Sequence, residues 1–387
     1  MIHLRFHKSR HLSLRALCAF CTLCALCVNC FFFFSSATPA QNPEKPLQTI
    51  DEEVTAFAYS SDGRLVYSAY RKVKTKAYDL EHDDIWLQDA GGKRRRIFEG
   101  PKYVRGNQQF SYIVNSFRWS PNGRMIAAEL LTTTVDESDR AEDSFQTLLF
   151  EDSGREIRIN KGDNVILDAA SPFFLPDNAT VGFLSEAVKP RQLFSLKATR
   201  TDIGPLKTPH EGRTFRDISP IPGTISILAI EQDRNMNGPN RLQRLDLFTD
   251  NDKELATLDG YEGGLSVSPA GKKVAYYVDK EVLEIRDLTA LNHVARVRIG
   301  LGIYHWSPDE SRIVLKRAIE KKSGDLVWID LPPLVAAPPH EIPVTEPTPM
   351  PVLRGYLFRD FAISPDGRSL AGVITGRRNL FVFPLPR

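Results

Sequence analysis

Beyond residue 30 the chain has no cysteine. All five, Cys18, Cys21, Cys24, Cys27 and Cys30, sit in one short apolar stretch of a 387-residue sequence. Three-residue steps through an apolar segment make a poor chelate, and none of these cysteines follows a Leu-small-small triplet for lipid attachment. The remainder therefore has no disulfide, no thiol nucleophile and no Cys-ligated metal. It also lacks a Gly-x-Ser-x-Gly elbow and a His-Glu-x-x-His pair, which excludes an α/β-hydrolase nucleophile and a zincin site. After Phe34 no apolar run is long enough to cross a bilayer. An excess of charge of one sign is missing too. Four of the 50 Lys+Arg and none of the 48 Asp+Glu lie before residue 41, so the formal +2 of the whole becomes −2 for 41–387. Nothing in that balance asks for nucleic acid or an anionic membrane as a partner.

The first forty residues are a different material. Arg5, Lys8, Arg10 and Arg15 lead, Ala16 to Phe34 carries no charge, and Ser35-Ser-Ala-Thr-Pro-Ala40 supplies small residues. Basic, apolar, small is the order of a secretory signal, cut after Ala37 or, preferably, Ala40. The alternative is an uncleaved anchor, since the apolar run would span roughly 28 Å as a helix. Either way 41–387 is expected outside the cytoplasm, periplasmic or secreted, with no membrane insertion once the signal is removed.

What is present is a repeat. Phe117-Arg-Trp-Ser-Pro-Asn-Gly-Arg124, Tyr304-His-Trp-Ser-Pro-Asp-Glu-Ser-Arg312 and Phe361-Ala-Ile-Ser-Pro-Asp-Gly-Arg368 are its clearest copies. Phe57–Arg64 and Leu265–Lys272 are slightly worn; Phe173–Asn178 and Asp217–Gly223 are degenerate. Ser61, Pro121, Pro176, Pro220, Pro269, Pro308 and Pro365 are spaced 39 to 60 residues apart, a blade-sized period. In each copy proline presets φ, Asp or Asn bonds its own backbone and glycine takes positive φ, so the motif joins two strands as a hairpin. A third strand follows, as in Asp84–Asp89, Phe145–Phe150 or Asp325–Asp330, and then a short fourth. A sheet of four strands cannot bury both faces alone, so the sheets are expected to stack around an axis. The sequence thus predicts an all-β fold, a β-propeller of seven four-stranded blades over 41–387, with six blades as the alternative. Pro46–Ile50 reads as an orphan fourth strand that completes the last blade.

The turn Trp119-Ser-Pro-Asn-Gly123, with the strand and turn Asp84-Ile-Trp-Leu-Gln-Asp-Ala-Gly-Gly-Lys93, resembles the WD-like repeat of TolB-type propellers over residues 46–387. That resemblance implies a propeller, six-bladed in that family. Sixteen residues separate Ala40 from Phe57, so the likeness is to the propeller alone, without the family's preceding α/β domain.

Candidate chemistry is sparse. Asp233-Arg-Asn-Met-Asn-Gly238 places oxygen ligands Asp233, Asn235 and Asn237 at alternate positions before a glycine, like the start of a calcium loop. Arg244 stands where that loop's bidentate Glu belongs, and an Asn-Gly hairpin turn is the competing reading. Five histidines lie beyond the signal: His82, His210, His293, His305 and His340. His305 reads as a strand residue and His82 as part of a solvated acidic loop, Asp79–Asp84. Trp86, Trp119, Trp306 and Trp328 read as inter-blade core, with sugar stacking open to any that face the channel. Two insertions are candidate contact elements: a Thr-rich then acidic loop at 131–143, and 331–352, whose eight prolines suggest a strap over the sixth blade. The first strands read as apolar or Ser/Ala, with no catalytic constellation. The expected function is a non-catalytic scaffold that binds an envelope protein or polymer. The alternative is a lyase- or hydrolase-type enzyme sited in the channel.

Overall fold

The computed structural model describes residues 45–387 except 75–78, 101–108, 136–140, 158–164, 198–202, 236–237, 259, 320–322, 337–340, 354–355, 357 and 386–387. The signal-like segment, the cysteines and His340 lie outside the described residues. Among the described residues there are strands and turns and no α-helix.

Each Ser-Pro-Asp-Gly turn is built around its serine. Ser60, Ser120, Ser268, Ser307 and Ser364 are buried. Their hydroxyls accept the backbone N–H of Arg64, Met125, Lys273, Arg312 and Ser369 at 2.9 to 3.0 Å. In three copies the same hydroxyl donates to the turn carboxylate: Asp62, Asp309 and Asp366. Those bonds hold the Asp309 carboxyl at about 2, below its ordinary range. The residue that follows needs positive φ: Gly63, Gly123, Gly271 and Gly367 supply it, and Glu310 and Asn178 adopt it in two copies. In the fourth copy the structure corrects the sequence reading. Ile221, not Ser219, opens the turn, since Ile221 N–H bonds Ser226 O and Thr224 N–H bonds Ile221 O. Pro220 ends the incoming strand Arg213–Pro220, so the turn proline is Pro222.

The strands pair antiparallel in chain order. Four sheets have four strands, one has six and one has eight. Seven separate four-stranded sheets were expected, and that count is not met, for two reasons. Asp79–Gln88 touches Gln109–Trp119 in parallel through Glu81↔Ser111 and His82↔Tyr112, which fuses two neighbouring meanders into the eight-stranded sheet. The Pro-rich insertion also adds Val335–Ala336 and Val344–Thr345 to the outer edge of His293–Arg298. It therefore covers the edge of the fifth unit before Met350–Leu353 returns to pair with Ser323–Asp330, rather than lying over the sixth alone. The described residues of the 131–143 insertion are likewise strand rather than loop. Met125–Val135 and Ala141–Glu151 pair along their whole length, Thr132↔Ser144 and Thr133↔Asp143 included, as one tall hairpin.

Apolar clusters fill the spaces between consecutive sheets. Ala127, Leu149 and Ile166 meet Phe174, Val181 and Phe183; Leu228, Ile230 and Leu242 meet Leu265, Val274 and Tyr276. Each fully buried Leu, Ile or Phe contributes about 1.5–3 kcal/mol. The last sheet packs on the first through Ala371, Val373 and Leu380 against Phe57, Leu65 and Tyr67. The ring therefore closes, and the fold is a β-propeller. Gln48–Ile50 pairs antiparallel with Leu380–Pro384, in the register Gln48↔Val382 to Ile50↔Leu380. The start of the described chain thus supplies the outer strand of the sheet that holds its end.

Candidate functional site

The innermost strands carry a feature that strand alternation does not announce. Their pairing with the second strand slips by one or more residues at Val54/Phe57, Val114/Ser116, Phe215/Asp217, Gly263/Ser266 and Phe358/Asp360. Such bulges re-aim side chains. At three of them the bulged residue is polar; Asn115 ties its strand to the next one in the same unit, and Arg216 and Arg359 reach beyond theirs. Asn115 donates to Glu129 at 2.7 Å; Arg216 stacks over the Tyr261 ring at 4.9 Å; Arg359 Nη2 donates to Val54 O at 2.6 Å.

Below the bulges, toward the Ser-Pro turns, lies a cavity of about 580 Å³. Its walls are Ala56–Ser61 and Asn115–Trp119, with His305, Trp306 and Asp360–Ile363, and Val267, Pro269 and Pro365 at the turn side. Trp119 Nε1 donates to Ala58 O at 3.2 Å and Trp306 Nε1 to Ser266 Oγ at 3.1 Å, so both indoles on this wall are pinned to the preceding unit. Trp86 and Trp328 belong to the packed layers between sheets.

Charged groups converge here from several units, against the expectation of apolar or Ser/Ala first strands. Arg118 lines the cavity and is accessible from it; the surrounding protein lowers its pKa by desolvation, and the charges of Glu129 and Asp217 act in the opposite direction. Its one hydrogen bond among the described residues is Nη1 to Phe117 O at 3.0 Å. Glu129 accepts from Asn115, Ser116 and the Ser171 N–H, and Asp217 accepts from Tyr261 Oη at 2.5 Å and the Ile218 N–H at 2.9 Å. Burial pushes the Asp217 carboxyl up, partly offset by those bonds. His305 packs edge-on against Phe361 at 4.8 Å between ring centroids, and its Nε2 has no hydrogen-bond partner. Burial lowers His305 and raises Asp360, each held back by the other's charge. An imidazole, a carboxylate and a guanidinium thus share one pocket.

His82 corrects a second reading: it is buried in the strand Asp79–Gln88, not in a solvated loop. Its ring lies so close to Gly100 that a Cβ there would overlap it. Next to it Asp83 Oδ2 accepts from Thr55 Oγ1 at 2.6 Å and the Val114 N–H at 2.7 Å, while Oδ1 is buried without a partner. Burial raises its pKa to about 6. His210 bonds buried Glu231 at 2.8 Å, and His293 lies beside Asn292. Of the calcium candidates, Asn237 lies outside the described residues, and Asp233 Oδ1 accepts the Asn235 N–H at 2.8 Å. No group of three His, Cys, Asp or Glu with metal-site geometry occurs among the described residues. Arg118, Asp217 and Asp360 escaped the sequence reading; their only signal was a charge beside the repeat's aromatic position, as in Phe117-Arg118 and Asp360-Phe361.

No protein-family model matches the chain, and no curated protein matches it by sequence. Solved structures do. The Cps50 (Swd1) β-propeller domain of Myceliophteria thermophila matches with a TM-score of 0.54 and 12% identity, covering 89% of this chain and 100% of that one. Kuenenia stuttgartiensis hydrazine synthase gives 0.53 and 13% over 91% and 99%. An oligogalacturonate lyase from Vibrio parahaemolyticus gives 0.52 and 12% over 71% and 77%. At these identities the likeness shows the β-propeller fold and nothing finer.

Proposed function

We propose that this chain is an exported, non-catalytic β-propeller that holds an envelope protein, polymer or smaller ligand at the channel mouth on its Ser-Pro turn face. One observation carries the reading: first strands from distant parts of the chain converge on a single 580 Å³ cavity, a volume within the usual range for ligand sites. The turn face around it is cross-tied. Arg64 Nη2 donates to Gly123 O at 2.6 Å, Asn178 accepts the Asn122 N–H at 2.7 Å, and Glu310 accepts the Ala270 N–H. A pre-ordered rim of this kind lowers the entropy lost on binding. The basic, apolar, small order of residues 5–40 supports export. The proposal includes no cofactor.

We also propose seven blades, one more than the six of the TolB-type propellers whose repeat this one resembles. The two halves of the eight-stranded sheet sandwich an apolar layer, Ala56, Ile85 and Leu87 against Val114, Phe117 and Phe150, as separate blades do. Their parallel contact is only two residue pairs long.

A second reading, a lyase- or hydrolase-type enzyme, rests on the His305–Asp360 pair at the cavity wall. It is the weaker one, because the buried Nε2 of His305 does not reach into the open volume. A photo-crosslinker placed at Ser61 on the mouth, against the exposed outer residue Phe248 as control, tests the scaffold reading in cells. One recurring product from Ser61 is expected; equal products from both positions, or none from Ser61, overturn it.

A further inference from the structure

The cavity contains an uncommitted cation. Arg118 has a single hydrogen bond, to its own neighbour's carbonyl, and no carboxylate of the described residues lies within ion-pair distance of it. Glu129 and Asp217, whose charges act on it, and Asp360 on the same cavity wall each already accept hydrogen bonds. Glu129 holds three donors, Asp217 holds Tyr261 and the Ile218 N–H, and Asp360 holds the Phe361 N–H at 2.8 Å. Arg118 lines the cavity, and most of its planar fork of N–H donors has no acceptor among the described residues. A guanidinium that lines a cavity and is accessible there with free donors is matched by the two coplanar oxygens of a carboxylate. The same carboxylates count against a dianion, because a second negative charge would meet Glu129, Asp217 and Asp360 with no further free cation among the described residues of the wall. Arg216 is stacked on Tyr261, and Arg359 donates to Val54 O and Thr55 O. Tyr59 and Trp119, half-buried on the same wall, suit an apolar or aromatic body behind the charged end.

We propose that the ligand of this cavity presents a monoanionic carboxylate, which docks on Arg118. The proposal rests on the reading of the cavity as a binding site and names the chemistry it takes. Two sources share that chemistry, a free organic acid and the C-terminal carboxylate of a peptide.

Ligand-observed NMR on the purified protein tests it with matched probes: benzoate against benzamide, and N-acetylphenylalanine against its amide. At least one acid is expected to bind about tenfold tighter than its neutral partner, and phenylphosphate no tighter than benzoate. The pair that discriminates identifies the source. Arg118→Gln is expected to abolish the discrimination and Arg118→Lys to keep part of it, with melting temperatures close to the parent because the side chain anchors nothing but Phe117 O. Equal binding of acid and amide in the parent protein overturns the proposal, as does discrimination that survives Arg118→Gln. Crosslinking from Ser61 separates the two readings. If the parent captures its partner there but shows no preference for acids, the carboxylate falls and the scaffold stands; if Ser61 captures nothing, the scaffold itself falls.

Discussion

Asp83 shows how much one buried group can govern. Its Oδ2 bridges the first unit to the second, holding Thr55 and the backbone of Val114, and its Oδ1 lies in the protein with no donor. A proton on Oδ1 removes a buried charge without breaking either bond, which is why burial lifts the carboxyl to about 6. The unfolded chain releases the same proton near pH 4. The folded state therefore binds more protons between these values, so this group's contribution is complete below about pH 4 and is lost as pH rises through about 6. Urea unfolding across pH 4 to 7 should show stability falling by about 1–3 kcal/mol from this site, and Asp83→Asn should flatten that slope. A slope identical in the two proteins would mean that Asp83 is ionised throughout. None of this was legible in Glu-His-Asp-Asp, where charge density reads as solvent exposure. Burial came from partners distant in sequence, Gly100 and Val114, which no local pattern encodes.

At the level of the element, the turn is the part the sequence wrote most plainly. Serine, proline, Asp and glycine each have a local job, and the structure assigns them those jobs in most copies. The fourth copy slipped by two because Pro220 and Pro222 both offer a preset φ, and only pairing with Ser226 decides between them. The Thr-rich hairpin was read as a loop because its acidic return strand looks solvated, yet β-branched Thr132 to Thr134 favours a strand once a partner is present. The cavity was legible in its aromatic and small residues but not in its charges, since the bulges that re-aim them arise from pairing with the second strand. Glu310 tests the turn directly. It takes φ of 58° where most copies use glycine, and its side chain reaches the Ala270 N–H of the preceding unit's turn. Glu310→Ala keeps the left-handed strain and loses the bond, whereas Glu310→Gly loses the bond but releases about 1 kcal/mol of strain. Denaturant midpoints should therefore rank the Gly variant above the Ala variant by about 1 kcal/mol. The opposite order would show that this turn carries no such strain.

For the molecule as a whole, stability depends on joining the two ends of a ring whose sheets otherwise contact only their neighbours. Three residues carry most of that join. Gln48, Thr49 and Ile50 pair with Val382, Phe381 and Leu380, and Leu47 N–H bonds Val382 O at 2.7 Å. Ile50 is fully buried against Phe57, Leu65 and Ala371, and Gln48 exchanges amide bonds with Gln88 of the first sheet at 2.8 and 3.0 Å. Burial of Ile50 at about 2–3 kcal/mol and these three hydrogen bonds at about 1 kcal/mol each give the segment roughly 5–6 kcal/mol before the entropy of ordering it. Removing it also bares Leu380–Pro384 as an unpaired edge, with aromatic Phe381 and Phe383 alongside, an invitation to pair with another chain. Deletion of residues 41–50 should lower the melting temperature by roughly 10 °C. Aggregation on heating should appear in the deletion and not in the parent. Gln48→Ala, which cuts the side-chain bonds but leaves the strand, should cost only about 1–2 kcal/mol. If instead the deletion melts with the parent, the ring is held shut by the Ala371–Leu380 layer alone, and the first strand is an ornament on a disc already closed.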